Sequence, residues 1–155
     1  MPADAGVLVT GSAGGVGQAL VRAFSEAGYF VIGLDQGGTP GADYSLEFDL
    51  GCLAWDHGAL DVLSDALAVA LEGRALKVLL NNAAIQALGP VEELSVTDFR
   101  TTLDVNLVAA FALVKVGLPH LEASGGAILN MGSIHGRLTK PNFSAYATSK
   151  GALET

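Results

Sequence analysis

Short apolar runs alternate along the chain with longer segments of mixed polarity. "VLVT" (7–10) is apolar and bounded by glycine, the pattern of a buried strand. "VGQALVRAFSEAG" (16–28) follows, with Val16, Leu20, Ala23, Phe24 and Ala27 at helical spacing and Gly28 placed as a C-terminal cap. "YFVIGLD" (29–35) predicts a second strand, and "YSLEFDL" (44–50) a shorter third with less clean alternation. "GALDVLSDALAVALEG" (58–73) reads as a helix, and "LKVLLNNAA" (76–84) as a buried strand running into a turn. Residues 95–124 predict one long helix with a capping-box-like start at Ser95 and Asp98 and a kink at Pro119. "GAILNMGS" (126–133) predicts the fifth strand, and a loop leads to a helix starting near Ser144.

Near-continuous apolar strands separated by helices call for parallel pairing and right-handed crossovers. The fold class is therefore α/β with a doubly wound parallel sheet. No repeat, low-complexity tract or linker interrupts the pattern, so residues 1–155 read as one domain. Half of the residues are apolar, 15% are charged and 20 are glycines, which suits a glycine-turned α/β domain better than a disordered chain.

Charge and chemistry narrow the partners. A net charge of −8 argues against nucleic acid or an anionic membrane, and leaves a small or nucleotide-sized ligand open. Cys52, the single cysteine, excludes an internal disulfide and a thiolate cluster, and reads as a small semi-buried apolar residue. His57, His120 and His135 have no metal-ligand spacing, so no metal is expected. The longest uninterrupted apolar stretch, Leu107 to Val114, is too short to span a bilayer, and no basic segment opens the chain. A cytoplasmic protein is expected.

"TGSAGGVG" (10–17) joins the first strand to the first helix, with Gly11, Gly15 and Gly17 spaced G-x-x-x-G-x-G. Residues without a β-carbon let the chain turn sharply, let a pyrophosphate approach the backbone and let helix pack on strand. The helix N-terminus then offers N–H groups and a positive dipole end to phosphates. A tight βα turn without a ligand is the alternative, and Asp35 weakens it. That residue closes the second strand, where an acidic side chain takes the ribose hydroxyls of an adenosine. No Arg or Lys lies near it in sequence to welcome a 2′-phosphate, so NAD is favoured over NADP.

Tyr146 and Lys150, four residues apart, share one helix face. A neighbouring ammonium favours the phenolate, which makes Tyr146 an expected acid or base near neutral pH. Ser133, ending the fifth strand, can donate a hydrogen bond to a carbonyl or alkoxide oxygen. An isolated Tyr-x-x-x-Lys would be a surface helix pair.

The set as a whole resembles the classical short-chain dehydrogenase/reductase family. The resemblance rests on "TGSAGGVG", Asp35, "DL" (49–50), "NNAA" (81–84), Asn106, Ser133 and Tyr146/Lys150, in that order, with thirteen residues from serine to tyrosine. It implies a Rossmann-like sheet of order 3-2-1-4-5. It also implies Tyr146 as catalytic acid/base, Lys150 lowering its pKa and holding the nicotinamide ribose, and Ser133 orienting the substrate oxygen. Asn106 would hold a water in a proton relay behind Lys150. Gly11, Ser12, Ala13, Gly14 and Val16 would wrap the cofactor's phosphates and ribose, Asp49 and Leu50 would border the adenine, and Asn82 and Ala83 would lie along the cofactor. The implied reaction is hydride exchange between NAD(H) and a small alcohol or ketone. The helix over 95–124 would also pack on a second subunit in a homo-oligomer.

Two departures accompany the likeness. Ala84 stands where the family has the glycine of its "NNAG" motif, and the family's chains continue past Thr155 with two further strands and a loop over the substrate. The expectation is thus a truncated family member that lacks the C-terminal strands, with a fraying last helix, an open fifth strand, self-association and poor turnover. A nucleotide-binding fragment without catalysis is the alternative. His135, Gln86 and Phe143 are weaker candidates for the substrate pocket.

Overall fold

The computed structural model describes residues 4–154, so residues 1–3 and 155 of the single-domain reading lie outside the described residues. The strands are β1 (Ala5–Thr10), β2 (Phe30–Asp35), β3 (Tyr44–Glu47), β4 (Ala75–Asn81) and β5 (Ala127–Asn130). The helices are α1 (Gly15–Glu26), α2 (Ala59–Leu71), α3 (Val96–Leu103), α4 (Ala109–Ser124) and α5 (Ser144–Leu153). The five strands form one sheet of order β3-β2-β1-β4-β5, and every pairing is parallel, as expected.

Alternation along the central strands β1 and β4 builds a core on both faces. Val7 and Val9 of β1 pack with Val21 of α1 on one side. Leu8 faces the other way, into the larger cluster with Leu63 and Leu67 of α2 and Leu113 of α4. Gly28 ends α1 at φ +86, and Tyr29 N donates to Phe24 O at 3.0 Å, closing the helix as the cap pattern predicts.

Several boundaries differ from expectation. The third strand covers 44–47 instead of 44–50, because the Asp49 carboxylate accepts from Gly51 N at 2.9 Å and turns the chain into a 3-10 segment, Leu50–Ala54. The fourth ends at Asn81 and the fifth at Asn130, both short of the predicted ends. The predicted long helix runs over 96–124, but residues Asp104–Val108 form a π turn between α3 and α4. Pro119 lies inside the continuous α4, and the interruption of the α-helical pattern falls on the π turn. By length and composition Val96–Ser124 could cross a membrane; 44% of its most apolar window is buried within the fold, and α4 packs on β4 as a core helix.

Candidate active site

The turn after β1 is shaped by two glycines. Gly11 has φ +62, and a β-carbon there would stand 2.7 Å from Ala83 Cα. One on Gly17 would stand 2.0 Å from Gly11 O, so α1 can dock on the turn only with glycine at that position. Gly15 differs: a β-carbon there would meet nothing within 4 Å. The N-cap of α1, Gly14, makes no side-chain cap bond, which leaves the first N–H groups of the helix for a ligand.

Buried hydroxyls brace this turn from behind. Thr10 Oγ1 donates to Leu80 O at 3.2 Å and accepts from Asn82 N and Ala83 N at 3.0 Å each. Asn82 Nδ2 returns bonds to Thr10 O at 2.9 Å and Gly11 O at 3.2 Å, which staples the ends of β1 and β4 together. Ser12 is fully buried, 2.6 Å from Thr39 Oγ1, so it supports the turn from below. Asp35 accepts from Ala13 N at 2.9 Å and Gln36 N at 2.8 Å, which holds its carboxylate at the rim. Thr39 carries no periodic or motif signal, and Thr10, although it opens the glycine motif, shows its bracing role only through tertiary contact.

A cleft of about 480 Å³ opens above these strand ends. Gly11, Ala13, Gly14, Val16, Asp35, Asp49, Leu50, Asn82, Ala83, Tyr146 and Lys150 all line it. Ser12, Asn106 and Ser133 do not. The strands bearing Asp35 and preceding Met131, β2 and β5, stand three spacings apart, roughly 14 Å. The cleft therefore runs across the sheet from Asp35 to the Tyr146/Lys150 pair. Among the described residues that line it, Lys150 is the sole cation.

Lys150 is 2% exposed, and its Nζ donates to Met131 O at 2.7 Å. Burial pushes its pKa below the ordinary lysine value. The Tyr146 ring lies beside it, 6.0 Å from Nζ to the centroid. At the far end of α5, Arg137 Nε donates to Glu154 Oε2 at 2.7 Å, tying the helix to the loop after β5.

Asn106 sits in the π turn beneath this pair, 1% exposed. Its Oδ1 accepts from Ile85 N at 2.8 Å, and its Nδ2 donates to Ile85 O and Ser149 Oγ at 3.0 Å each. Both amide hydrogens are thus engaged with protein. Ser149 passes the link on by donating to Tyr146 O at 2.7 Å. Sequence pattern does not single out Ser149, although it lies between the two residues of the motif.

Ser133 caps a 3-10 turn, Ile134–Gly136, and its Oγ accepts from His135 N at 3.2 Å. His135 stacks on Phe143 at 4.3 Å between centroids, and each ring meets Tyr146 edge-on, at 6.2 and 6.3 Å. Two of the weaker candidates therefore stand against Tyr146, whereas Gln86 is exposed in the loop after β4. No cluster of metal-ligating side chains occurs among the described residues.

The comparisons agree with this geometry. Residues 5–155 match the profile of the short chain dehydrogenase family. The chain is 34% identical over 152 residues to D-threitol dehydrogenase of Mycolicibacterium smegmatis, covering 92% of this chain and 58% of that one. It is 33% identical over 152 residues to L-fucose dehydrogenase of Mus musculus, covering 95% and 55%. A 4-hydroxyisoleucine dehydrogenase complexed with NADH superposes with a TM-score of 0.80 at 29% identity, over 96% of this chain and 64% of that one. A protein assigned as an NAD(P)-dependent gluconate 5-dehydrogenase of Beutenbergia cavernae, with NADP bound at low occupancy, gives 0.82 at 29%, over 96% and 61%. The chain spans a little over half the length of the curated relatives it matches. The parallel sheet, the glycine turn and the paired Tyr146 and Lys150 fall within one matched profile: this chain belongs to the short-chain dehydrogenase family.

Proposed function

We propose that this chain binds NAD(H) and, in the whole protein, serves hydride exchange with a small alcohol or ketone, Tyr146 moving the proton. The observation that carries this reading is the single cleft with a phosphate cradle and Asp35 toward one end and Tyr146 and the buried Lys150 at the other. The residues present fit a dinucleotide: uncapped N–H groups at α1, room above Gly15, and a carboxylate at the far rim.

In this reading Gly11, Ser12, Ala13, Gly14 and Val16 form the phosphate turn, Ser12 through its backbone and its brace. Asp35 takes the adenosine ribose hydroxyls, Asp49 and Leu50 border the adenine, and Asn82 and Ala83 flank the middle. Lys150 reaches the second ribose. With no cation beside Asp35 in the cleft, NAD is preferred to NADP. The bound nicotinamide supplies or takes the hydride.

The protein's own groups manage the proton and the orientation. Tyr146 gives its hydroxyl proton to the substrate oxygen in reduction and takes one in oxidation. Ser133 Oγ already accepts from His135 N, so its own hydrogen points elsewhere and can hold the same substrate oxygen. The Lys150 ammonium stabilises negative charge developing on the phenol oxygen in a poorly solvated site. Asn106 acts by holding Ile85 and Ser149; a water of the relay could use its Oδ1 only through the lone pair left over.

The reading extends to a cytoplasmic location and to self-association, the latter supported by Phe111, 67% exposed on α4. A second reading, nucleotide binding without turnover, is favoured by the open outer edge of β5, whose four residues are all exposed. Fluorescence titration with NADH, followed by turnover with a panel of alcohols and ketones, tests both. Absence of NADH binding overturns the proposal, and binding without turnover selects the second reading.

A further inference from the structure

His135 packs beside Tyr146, the residue that would meet the substrate, and its side chain is only half used. The backbone N–H is committed to Ser133 Oγ. The ring is held by Phe143 on its face and by Tyr146 at an angle of 72°. Nδ1 is buried and has no partner among the described residues, and no bond to Nε2 occurs there either. The residue as a whole is half-buried, and Nε2, neither hydrogen-bonded nor among the buried unpartnered atoms, lies on the accessible outward edge.

The two nitrogens of a neutral imidazole are unlike: one carries a proton and the other a lone pair. An orphaned buried N–H is rarer than an under-used acceptor, so the buried Nδ1 keeps the lone pair and Nε2 keeps the proton. The outward edge is then a fixed N–H donor, two residues from Ser133 and against the Tyr146 ring. A residue present only to fill space beside Phe143 and Tyr146 would be better served by an apolar ring, since an unpaired buried nitrogen opposes folding. The lone structural gain of histidine here is that outward donor.

We propose that His135 is a specificity-determining residue whose Nε2–H donates to a second substrate oxygen, on a carbon next to the reacting one. The inference rests on the dehydrogenase reading above and deepens it. The preferred substrate class is the vicinal diol and its α-hydroxy ketone, over the simple alcohol or an apolar ring alcohol. Ser133 and Tyr146 hold the reacting oxygen, and His135 reads its neighbour. A site built to hydrogen-bond a hydroxyl discriminates against the analogue that lacks it, because the site's donor is then left unpaired.

Butane-2,3-diol and butan-2-ol share a skeleton and differ by the hydroxyl in question. With NADH already bound, either alcohol can enter without reacting, so calorimetric titration into the NADH-loaded chain reads binding alone. The wild type is expected to bind the diol about tenfold more tightly, or about 1.4 kcal/mol. His135→Phe keeps the ring stack and removes both nitrogens. It should bind both alcohols equally, at the wild-type affinity for butan-2-ol, with unchanged NADH affinity and a thermal midpoint no lower than wild type. In the wild type, ¹⁵N resonances of the His135 imidazole should shift with the diol and not with butan-2-ol. No preference in the wild type, no diol binding at all, or a preference that survives in His135→Phe overturns this inference and leaves the dehydrogenase reading standing. A marked fall in the thermal midpoint of His135→Phe would instead make the nitrogen structural and also overturn it. Failure of the wild type to bind NADH overturns the dehydrogenase reading and this inference with it.

Discussion

Gly17 lies so close to Gly11 that a β-carbon on it would stand 2.0 Å from the Gly11 carbonyl oxygen. The contact is backbone on backbone, so no side chain can swing away to relieve it. Gly17→Ala must push α1 off the turn, and a loss of about 2–4 kcal/mol in unfolding free energy is expected. Gly15→Ala is the matched contrast. Its β-carbon meets no protein atom and enters space that lines the cleft. That variant should fold with an unchanged or slightly raised stability and lose NADH affinity by at least about tenfold. Urea melts and NADH titration of both variants check the pair; equal effects on folding would remove the distinction.

Asp35 decides cofactor choice through charge. Its carboxylate is held toward the cleft by Ala13 N and Gln36 N, and the described lining offers no cation near it. NAD(H) should bind at least about tenfold more tightly than NADP(H), or about 1.4 kcal/mol. Asp35→Asn should narrow that gap. Equal affinities of the wild-type chain for the two cofactors would contradict the assignment.

Tyr146 and Lys150 should separate in their effects. Tyr146→Phe should abolish any turnover, in this chain or in a longer form of it, and leave NADH binding nearly intact. Lys150→Ala should harm both. Single-turnover kinetics beside a binding titration read the two effects, and near-normal chemistry in Tyr146→Phe would take the phenol out of the mechanism.

Lys150 also predicts a pH dependence of stability. Burial lowers its folded pKa below the unfolded value of 10.5, so the fold bears a cost for the ammonium at all pH values below the folded pKa. Between the folded and unfolded values the unfolded chain holds more protons, and stability rises with pH there. Lys150→Met removes the buried charge and keeps the volume. It should therefore be more stable than wild type at neutral pH, and the advantage should shrink as pH approaches 10.5. Thermal melts across alkaline pH show the trend, and a constant difference would argue against it.

Asn106 and Ser149 should behave as one unit. Each single alanine variant breaks a buried chain from Ile85 through Asn106 and Ser149 to the carbonyl of Tyr146, at a cost of about 1–3 kcal/mol. The double variant should cost less than the sum, because the second change removes a partner already lost. Additive losses in a double-mutant cycle would show that the chain is not coupled.

Most of the scaffold was legible from pattern alone. Parallel apolar strands, the cap at Gly28 and the capping box at Ser95 are local or periodic features, and backbone geometry answers to them directly. The α5 pair of Tyr146 and Lys150 was legible for the same reason, since a helix places residues four apart on one face. Tertiary structure alone decided what depends on distant segments meeting. The third strand stops at Glu47 because Asp49 finds the Gly51 N–H, and the long helix loosens into a π turn where Asn106 engages Ile85 and Ser149, 21 and 43 residues away. Thr39 and Ser149 look ordinary in sequence, and their hydroxyls, like that of Thr10, matter only because folding removes them from water and presents them with specific partners. Periodicity reports which face of an element turns inward; it carries no information about which polar atom waits there.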